Sequence, residues 1–162
     1  LSFPIIFYFI RMYSKHGINI RKAKNNLAKL KSIQHKGALF AYLRKIDPYV
    51  FEEMVLTAFQ KSGYKIKRNK RYSGDGGIDG TVYLKGKKYL IQSKRYSSYI
   101  SLAHLKEFQL LCRQHRCKGF FVHTGRTGKG CFNALSESNN ISIVSGNDLI
   151  SLLLDFNSPY VH

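Results

Sequence analysis

Nine carboxylates serve a chain of 162 residues, and two of them, Asp75 and Asp79, stand in the glycine-rich stretch GDGGIDG (74–80). Just downstream the segment IQSKRY carries Gln92 and Lys94. A hard divalent cation such as Mg²⁺ takes oxygen ligands, keeps several waters, and is typically held by one or two carboxylates together with substrate phosphate. Asp79 and the side-chain oxygen of Gln92 suit that role, with Mn²⁺ as a substitute ion. Lys94 can hold an attacking water and favour its hydroxide form, or neutralise charge that builds on a phosphorane. The glycines at 74, 76, 77 and 80 clear side chains from the loop, so a phosphate backbone can approach Gly76 and Gly77 closely. Asp75 then shapes the loop or meets the substrate.

These groups need a hairpin to bring them together. With Lys85-Gly86 as a two-residue turn, and glycine where a positive φ is needed, Leu84 faces Lys87 and Asp79 comes opposite Gln92. Alternation then puts Ile78, Val82, Tyr89 and Ile91 on one face and Asp79, Gln92 and Lys94 on the other. Opposed Cβ atoms lie about 5 Å apart, close enough for a carboxylate and an amide oxygen to share an ion. Pattern alone fits equally an ordinary hairpin with an Asx-turn and a solvated lysine.

Ahead of the hairpin, Asp47 is a good N-cap and Pro48 suits the first helical position. Val50, Phe51, Met54, Val55, Ala58 and Phe59 form one apolar face, and Gly63 ends the helix. On a helical wheel Glu52 sits at the margin of that face and can look into the site; Glu53 points nearly the opposite way, into solvent. A short strand follows at 64–68. After the hairpin come a helix opened by Ser101, a strand at 119–125, a helix near 129–138, a strand at 141–145 and a last helix capped by Asn147. The order αβββαβαβα describes an α/β or α+β sheet covered by helices on both faces.

Against the nine acids stand 27 Lys and Arg, a formal charge of +18. Such a field attracts polyanions, DNA first and an anionic membrane surface second. Residues 20–45 are basic with scattered apolar positions and read as one or two helices broken near Gly37. The apolar run FPIIFYFI (3–10) falls short of the ~20 residues that cross a bilayer. It reads as the tail of a longer membrane segment or as an element packed on the core; no basic leader precedes it, against a signal peptide. Cys112, Cys117 and Cys131 have no paired spacing, which suits a reducing, cytoplasmic setting, and with His115 they match no zinc-ligand pattern. RTGKG (126–130) lacks the glycine and hydroxyl of a P-loop, so Arg126 and Lys129, like Arg95, are read as phosphate contacts. His104, His115 and His123 are given no role.

Three ordered motifs, FEEMV with Glu52, GDGGIDG with Asp79, and IQSKRY with Gln92 and Lys94, resemble the Mrr-like branch of the PD-(D/E)xK nuclease superfamily, seen in type IV restriction endonucleases. GFFVHTG, CFNAL and ISIVSGNDLISLL extend the likeness over about residues 47–155. The resemblance implies a three-layer α/β/α sandwich around a mixed sheet of about five strands. It also implies Mg²⁺-dependent hydrolysis of DNA phosphodiesters, with Asp79 and Gln92 as metal ligands, Lys94 as the catalytic lysine and Glu52 as an auxiliary acid. Residues 47–157 would form the nuclease domain. Residues 1–46 form a basic N-terminal region, membrane-proximal or a helical extension, too short and unpatterned for a separate recognition domain. Alternatives are a repair or junction-resolving nuclease and a non-catalytic DNA-binding module. A homodimer, which cutting both strands favours, and membrane association through residues 3–10 are left open.

Overall fold

The structure, a computed structural model, describes residues 3–69 and 76–158. Asp75 and Gly74 lie outside the described residues. Eleven elements follow in order: α1 (Phe3–Leu30), α2 (Lys36–Lys45), α3 (Pro48–Lys61), β1 (Lys65–Arg68), β2 (Gly80–Leu84), β3 (Lys87–Lys94), α4 (Leu102–Gln114), β4 (Lys118–His123), α5 (Lys129–Ser138), β5 (Ile141–Val144) and α6 (Gly146–Asp155).

The strands pair in chain order, β1-β2-β3-β4-β5. The first three run antiparallel, with β2 and β3 joined by the Lys85-Gly86 turn, where both residues have positive φ (50° and 76°). The two-residue loop matches the right-handed twist of its strands. β3, β4 and β5 are parallel, so each needs a helical crossover, which α4 and α5 provide. The sheet is therefore mixed, and helices cover both sides.

Alternation along the central strands builds two cores. Val82, Tyr89, Ile91 and Phe120 pack with the apolar stripe of α3 and with α1, α2 and α6. Leu90 and Phe121 pack with Leu105, Phe108 and Cys112 of α4 and Cys131 of α5. Asp47 caps α3 as expected, its carboxylate accepting from the Tyr49 and Val50 amides, and Ser101 caps α4 by accepting from His104 N.

Three expectations change. The apolar run 3–10 opens one long helix, and Ile5, Ile6, Phe7 and Ile10 are exposed, not packed on the core. No helix among the described residues is long and apolar enough to cross a membrane. The break between the basic helices lies at 31–35 rather than at Gly37, which sits in the first turn of α2. First-turn amides make no intrahelical bond, so a glycine is tolerated there. Asn147 is likewise inside α6, not its cap; its side-chain oxygen accepts from Lys36 Nζ at 2.6 Å and ties α2 to α6.

α1 and α2 share the main core: Ala23, Leu27 and Leu30 of α1 and Leu39 and Leu43 of α2 are buried against the same cluster as α3. On the opposite side, α4 lies so close to β4 that a Cβ on Gly119 would fall 2.5 Å from Cys112 Sγ and 2.7 Å from the Phe108 ring. Neither ring nor thiol can move far inside a packed cluster. Gly119→Ala is expected to lower unfolding free energy by about 1–3 kcal/mol, measured by urea titration; an unchanged midpoint would show that α4 can retreat.

Candidate active site

Asp79 owes its position to an interruption in the β2–β3 ladder. The register runs regularly from Leu84↔Lys87 to Gly80↔Ile91. The next amide, Asp79 N, donates to Ile91 O at 2.8 Å, so two residues of one strand stand against one of its neighbour. That is the pattern of a β-bulge, which re-aims a side chain and ends pairing. The Asp79 carboxylate then takes the place of the missing strand, its Oδ2 accepting from Ser93 N.

The bulge corrects the expected sharing of faces. Ile78 packs with the α4-side cluster and not with Val82, Tyr89 and Ile91. Asp79 lines a small cavity with Glu52, Glu53, Leu56 and Arg68 at the margin of α3. Gln92, whose neighbours Leu90 and Phe121 belong to the α4 side, is buried and turns its Nε2 onto Gly77 O at 2.7 Å. Asp79 thus holds the backbone beside Gln92, and Gln92 holds the loop that delivers Asp79. Asp79 and Gln92 flank the point where β2 leaves β3, Asp79 toward α3 and Gln92 toward α4, and do not share the one face expected of them.

Glycine is required at that gap. Gly76 and Gly77 have φ of +65° and +89°, and a Cβ on Gly77 would meet Gln92 Nε2 at 2.3 Å. Asn69 closes the neck of the loop by donating its Nδ2 to Ile78 O. On the α3 side a Cβ on Gly80 would lie 2.8 Å from Leu56 Cδ2, so α3 approaches closely enough to bring Glu52 in.

Glu52 is half-buried, as its place at the helix margin led us to expect. It lines both the small cavity beside Asp79 and a larger groove, about 290 Å³, that it shares with Ser93, Lys94, Arg95, Tyr96 and His104. Burial, then the Asp79 and Glu53 charges, push its carboxyl up to about 9, with Lys94 acting in the other direction. Burial also raises the Asp79 carboxyl to about 7, against the stabilising hydrogen bond from Ser93 and the Lys94 charge. Carboxyls that resist ionisation in isolation are relieved by a bound cation.

Glu53 is not in solvent. It is 1% exposed, with Oε2 on Arg68 Nε at 2.7 Å and Oε1 3.5 Å from His16 Nδ1. The helical wheel had assumed a free outer face for α3, and α1 covers that face. No local signal in the sequence foretold this, because His16 and Arg68 lie far from Glu53 in the chain. The groove side was missed too: Tyr96 OH lies 2.6 Å from His104 Nδ1, beside Lys94.

The expected phosphate contacts divide. Gly76 and Gly77 are exposed at the loop, and Arg126 and Lys129 are exposed at the start of α5. Arg95 instead directs Nη1 at the carbonyls of Arg44, at 2.9 Å, and Ile46, where it closes the end of α2. The three cysteines are free thiols. Among the described residues no three His, Cys, Asp or Glu gather as a metal cluster. The oxygen donors are fewer: Asp79, the nearby Glu52, and the buried Gln92 Oε1, which has no hydrogen-bond partner among the described residues.

A family model for the Mrr catalytic domain, described as restriction endonuclease, matches residues 43–153. The chain belongs to the Mrr-type restriction endonuclease family. Its nuclease fold is shared with solved structures at low identity. The DNA modification-dependent restriction endonuclease AspBHI superposes with a TM-score of 0.58 at 17% identity, over 73% of this chain and 34% of that one. A protein titled as of unknown function, AF1548, gives 0.56 at 16%, over 67% and 66%. The restriction endonuclease FokI gives 0.50 at 21%, over 83% and 29%. The chain therefore spans about two thirds of AF1548 and about a third of the two enzymes. No curated protein matches the sequence.

The raised carboxyls give this Mrr-type site a pH signature. Asp79 and Glu52 release their protons near 3.8 and 4.5 when unperturbed, but near 7 and 9 in the folded protein. Between those values the folded state holds more protons than the unfolded chain, so these groups make stability fall as pH rises. In chelator, the thermal midpoint of Asp79→Asn is expected to drop less than that of the wild type between about pH 5 and about pH 8. Parallel curves for the two proteins would contradict the raised Asp79 carboxyl.

Proposed function

We propose that the chain is a Mg²⁺-dependent DNA endonuclease of the type IV, Mrr-like kind, with its nuclease domain at residues 47–157 and residues 1–46 as a helical extension. The carrying observation is the buried Gln92 Oε1, partnerless among the described residues and next to the gap that Asp79 enters. A buried acceptor without a donor costs about 1–3 kcal/mol, and a hard cation supplies what it lacks. Asp79 and Gln92 would hold that ion. A donor set of one carboxylate and one amide oxygen leaves positions for water and substrate phosphate, as Mg²⁺ requires.

When bound, the ion would supply Lewis acidity to the phosphoryl oxygen and lower the pKa of a coordinated water. The remaining work falls to side chains already in place. Lys94, half-buried in the groove beside Glu52 and Ser93, holds the attacking water and offsets charge on the five-coordinate phosphorus as the P–O bond breaks. Glu52 spans the cavity and the groove, where its carboxyl can orient water or meet the ion through one. The exposed Gly76 and Gly77 leave room for the sugar-phosphate chain, and Arg126 and Lys129, both exposed, would bind flanking phosphates.

Supercoiled plasmid tests the reaction. Nicking that needs Mg²⁺ or Mn²⁺, and that falls roughly 100-fold or more in Lys94→Ala and in Asp79→Ala, is expected. Equal DNA binding by wild type and variants with no cleavage under either metal would leave a non-catalytic DNA-binding module instead. The same assay on methylated, unmethylated and branched duplexes separates a modification-dependent enzyme from a junction-resolving one.

A further inference from the structure

β1 and the β2–β3 hairpin carry Lys65, Lys67, Lys85, Lys87 and Lys88 and not one Asp or Glu. Cross-strand register sorts these lysines. Lys65, Tyr83 and Lys88 form one row across three strands, and Lys67, Thr81 and Leu90 form the next. Leu90 belongs to the α4-side cluster, whereas Ile66, Val82 and Tyr89, one residue out of step, belong to the α3-side core. Both rows therefore face the α4 side of the sheet. α4 itself packs over β3 and β4. Over β1 and β2 that face stays open, with Lys65 and Lys67 exposed and Tyr83 half-buried between Lys65 and Lys88. Lys85 extends the charge into the turn, where it is exposed, whereas Lys87, in step with Tyr89, points to the other face.

None of these lysines joins an ion pair among the described residues, where the pairs belong to Glu53. Lys65, Lys67 and Lys88 on one face, with Lys85 at its end, repel one another without a counter-charge, and a polyanion relieves that cost. Lysines on an edge strand also block unwanted strand pairing. That purpose explains Lys65 and Lys67 on β1, but not Lys85, Lys87 and Lys88 at the far turn. A lipid surface would need apolar anchors as well, and none of the exposed large apolar side chains lies on β1, β2 or β3.

We infer that this open lysine face of β1 and the hairpin is a second docking surface for DNA backbone, carrying the duplex away from the cleavage gap. The inference rests on the nuclease reading above for its ligand. The row starts at Lys67, across from Thr81 and two residues from Asp79, and ends at the turn. Its track follows the five residues of β2, about 17 Å of strand, which matches the rise of roughly five base pairs. The phosphates met there lie beyond the scissile one, so the face adds affinity and register without touching the reacting atoms.

Two variants with the same loss of charge test it. Lys65, Lys67, Lys85 and Lys88→Gln removes the face, and Lys15, Arg21, Lys22 and Lys24→Gln removes four exposed cations from α1. Binding of a labelled duplex is followed by fluorescence anisotropy across a KCl series in chelator, with circular dichroism to confirm folding. The strand variant is expected to bind about 10- to 100-fold more weakly near 0.1 M salt, with the slope of log K against log salt reduced by about 3. The α1 variant should change much less. Equal losses in both variants would mean a diffuse positive field and overturn the docking surface, as would no loss in either. A strand variant that loses binding to phosphatidylserine vesicles but keeps DNA binding overturns it in favour of a membrane. Plasmid nicking by the wild type, run alongside, keeps the two proposals apart: binding as expected without nicking refutes only the nuclease reading, and nicking with unaltered binding refutes only the docking surface.

Discussion

The hydrogen bond from Ser93 N to the Asp79 carboxylate is the interaction on which the rest of the site depends. A ladder that continued past Gly80 would satisfy Ser93 with backbone and send the acid to the other face of the sheet. The extra residue at the bulge breaks the ladder instead, and the carboxylate fills the vacated hydrogen-bonding position. One side chain thereby ends β2, opens a gap against β3, and places a half-buried acid at its mouth. Gln92 completes the lacing by holding Gly77 O, which fixes the glycine loop from the opposite side.

Energetically the gap is a place of tension within a chain that otherwise carries a large positive excess. Asp79, Glu52 and Glu53 are three of only nine carboxylates, and all three line one small cavity. Glu53 pairs with Arg68, lies beside His16 and serves as structure, pinning α1 and β1 to α3. Burial, joined for Glu52 by the Asp79 and Glu53 charges, holds the Glu52 and Asp79 carboxyls well above the usual range, with Lys94 acting against it. Folding pays for this concentration of like charge with the apolar stripe of α3, whose Phe51, Met54, Val55 and Phe59 are all but completely buried. The proposed metal ion would offset part of the same strain, which couples the site to the core beneath it through a single helix.

Much of this was legible in the sequence, because much of it is local. The Lys85-Gly86 turn set the register of the hairpin, Asp47 and Ser101 announced their helices, and period-2 alternation put Val82, Tyr89 and Ile91 on one face. The family motifs carried the fold and the candidate ligands. What failed depends on contacts distant in the chain. Periodicity could not know that α1 would cover the outer face of α3, so Glu53 was read as solvated. It could not see one inserted residue at Asp79, because a bulge has the same composition as a regular strand and shows itself only in the hydrogen bonds. Arg95 looked like a free cation, and its partners are carbonyls on a helix about fifty residues upstream. The Tyr96–His104 contact has no sequence signature at all, being made by one strand end and one helix start that happen to flank Lys94.

The account requires one divalent ion between an acid on one strand and an amide on the next. A crystal of the protein soaked in MnCl₂ and measured at the manganese edge tests it most directly. The prediction is an anomalous peak about 2.1–2.2 Å from both an Asp79 carboxylate oxygen and Gln92 Oε1, lost in Asp79→Asn. A peak bound elsewhere, or none beside Asp79 in a crystal that takes up the ion at other sites, would contradict it.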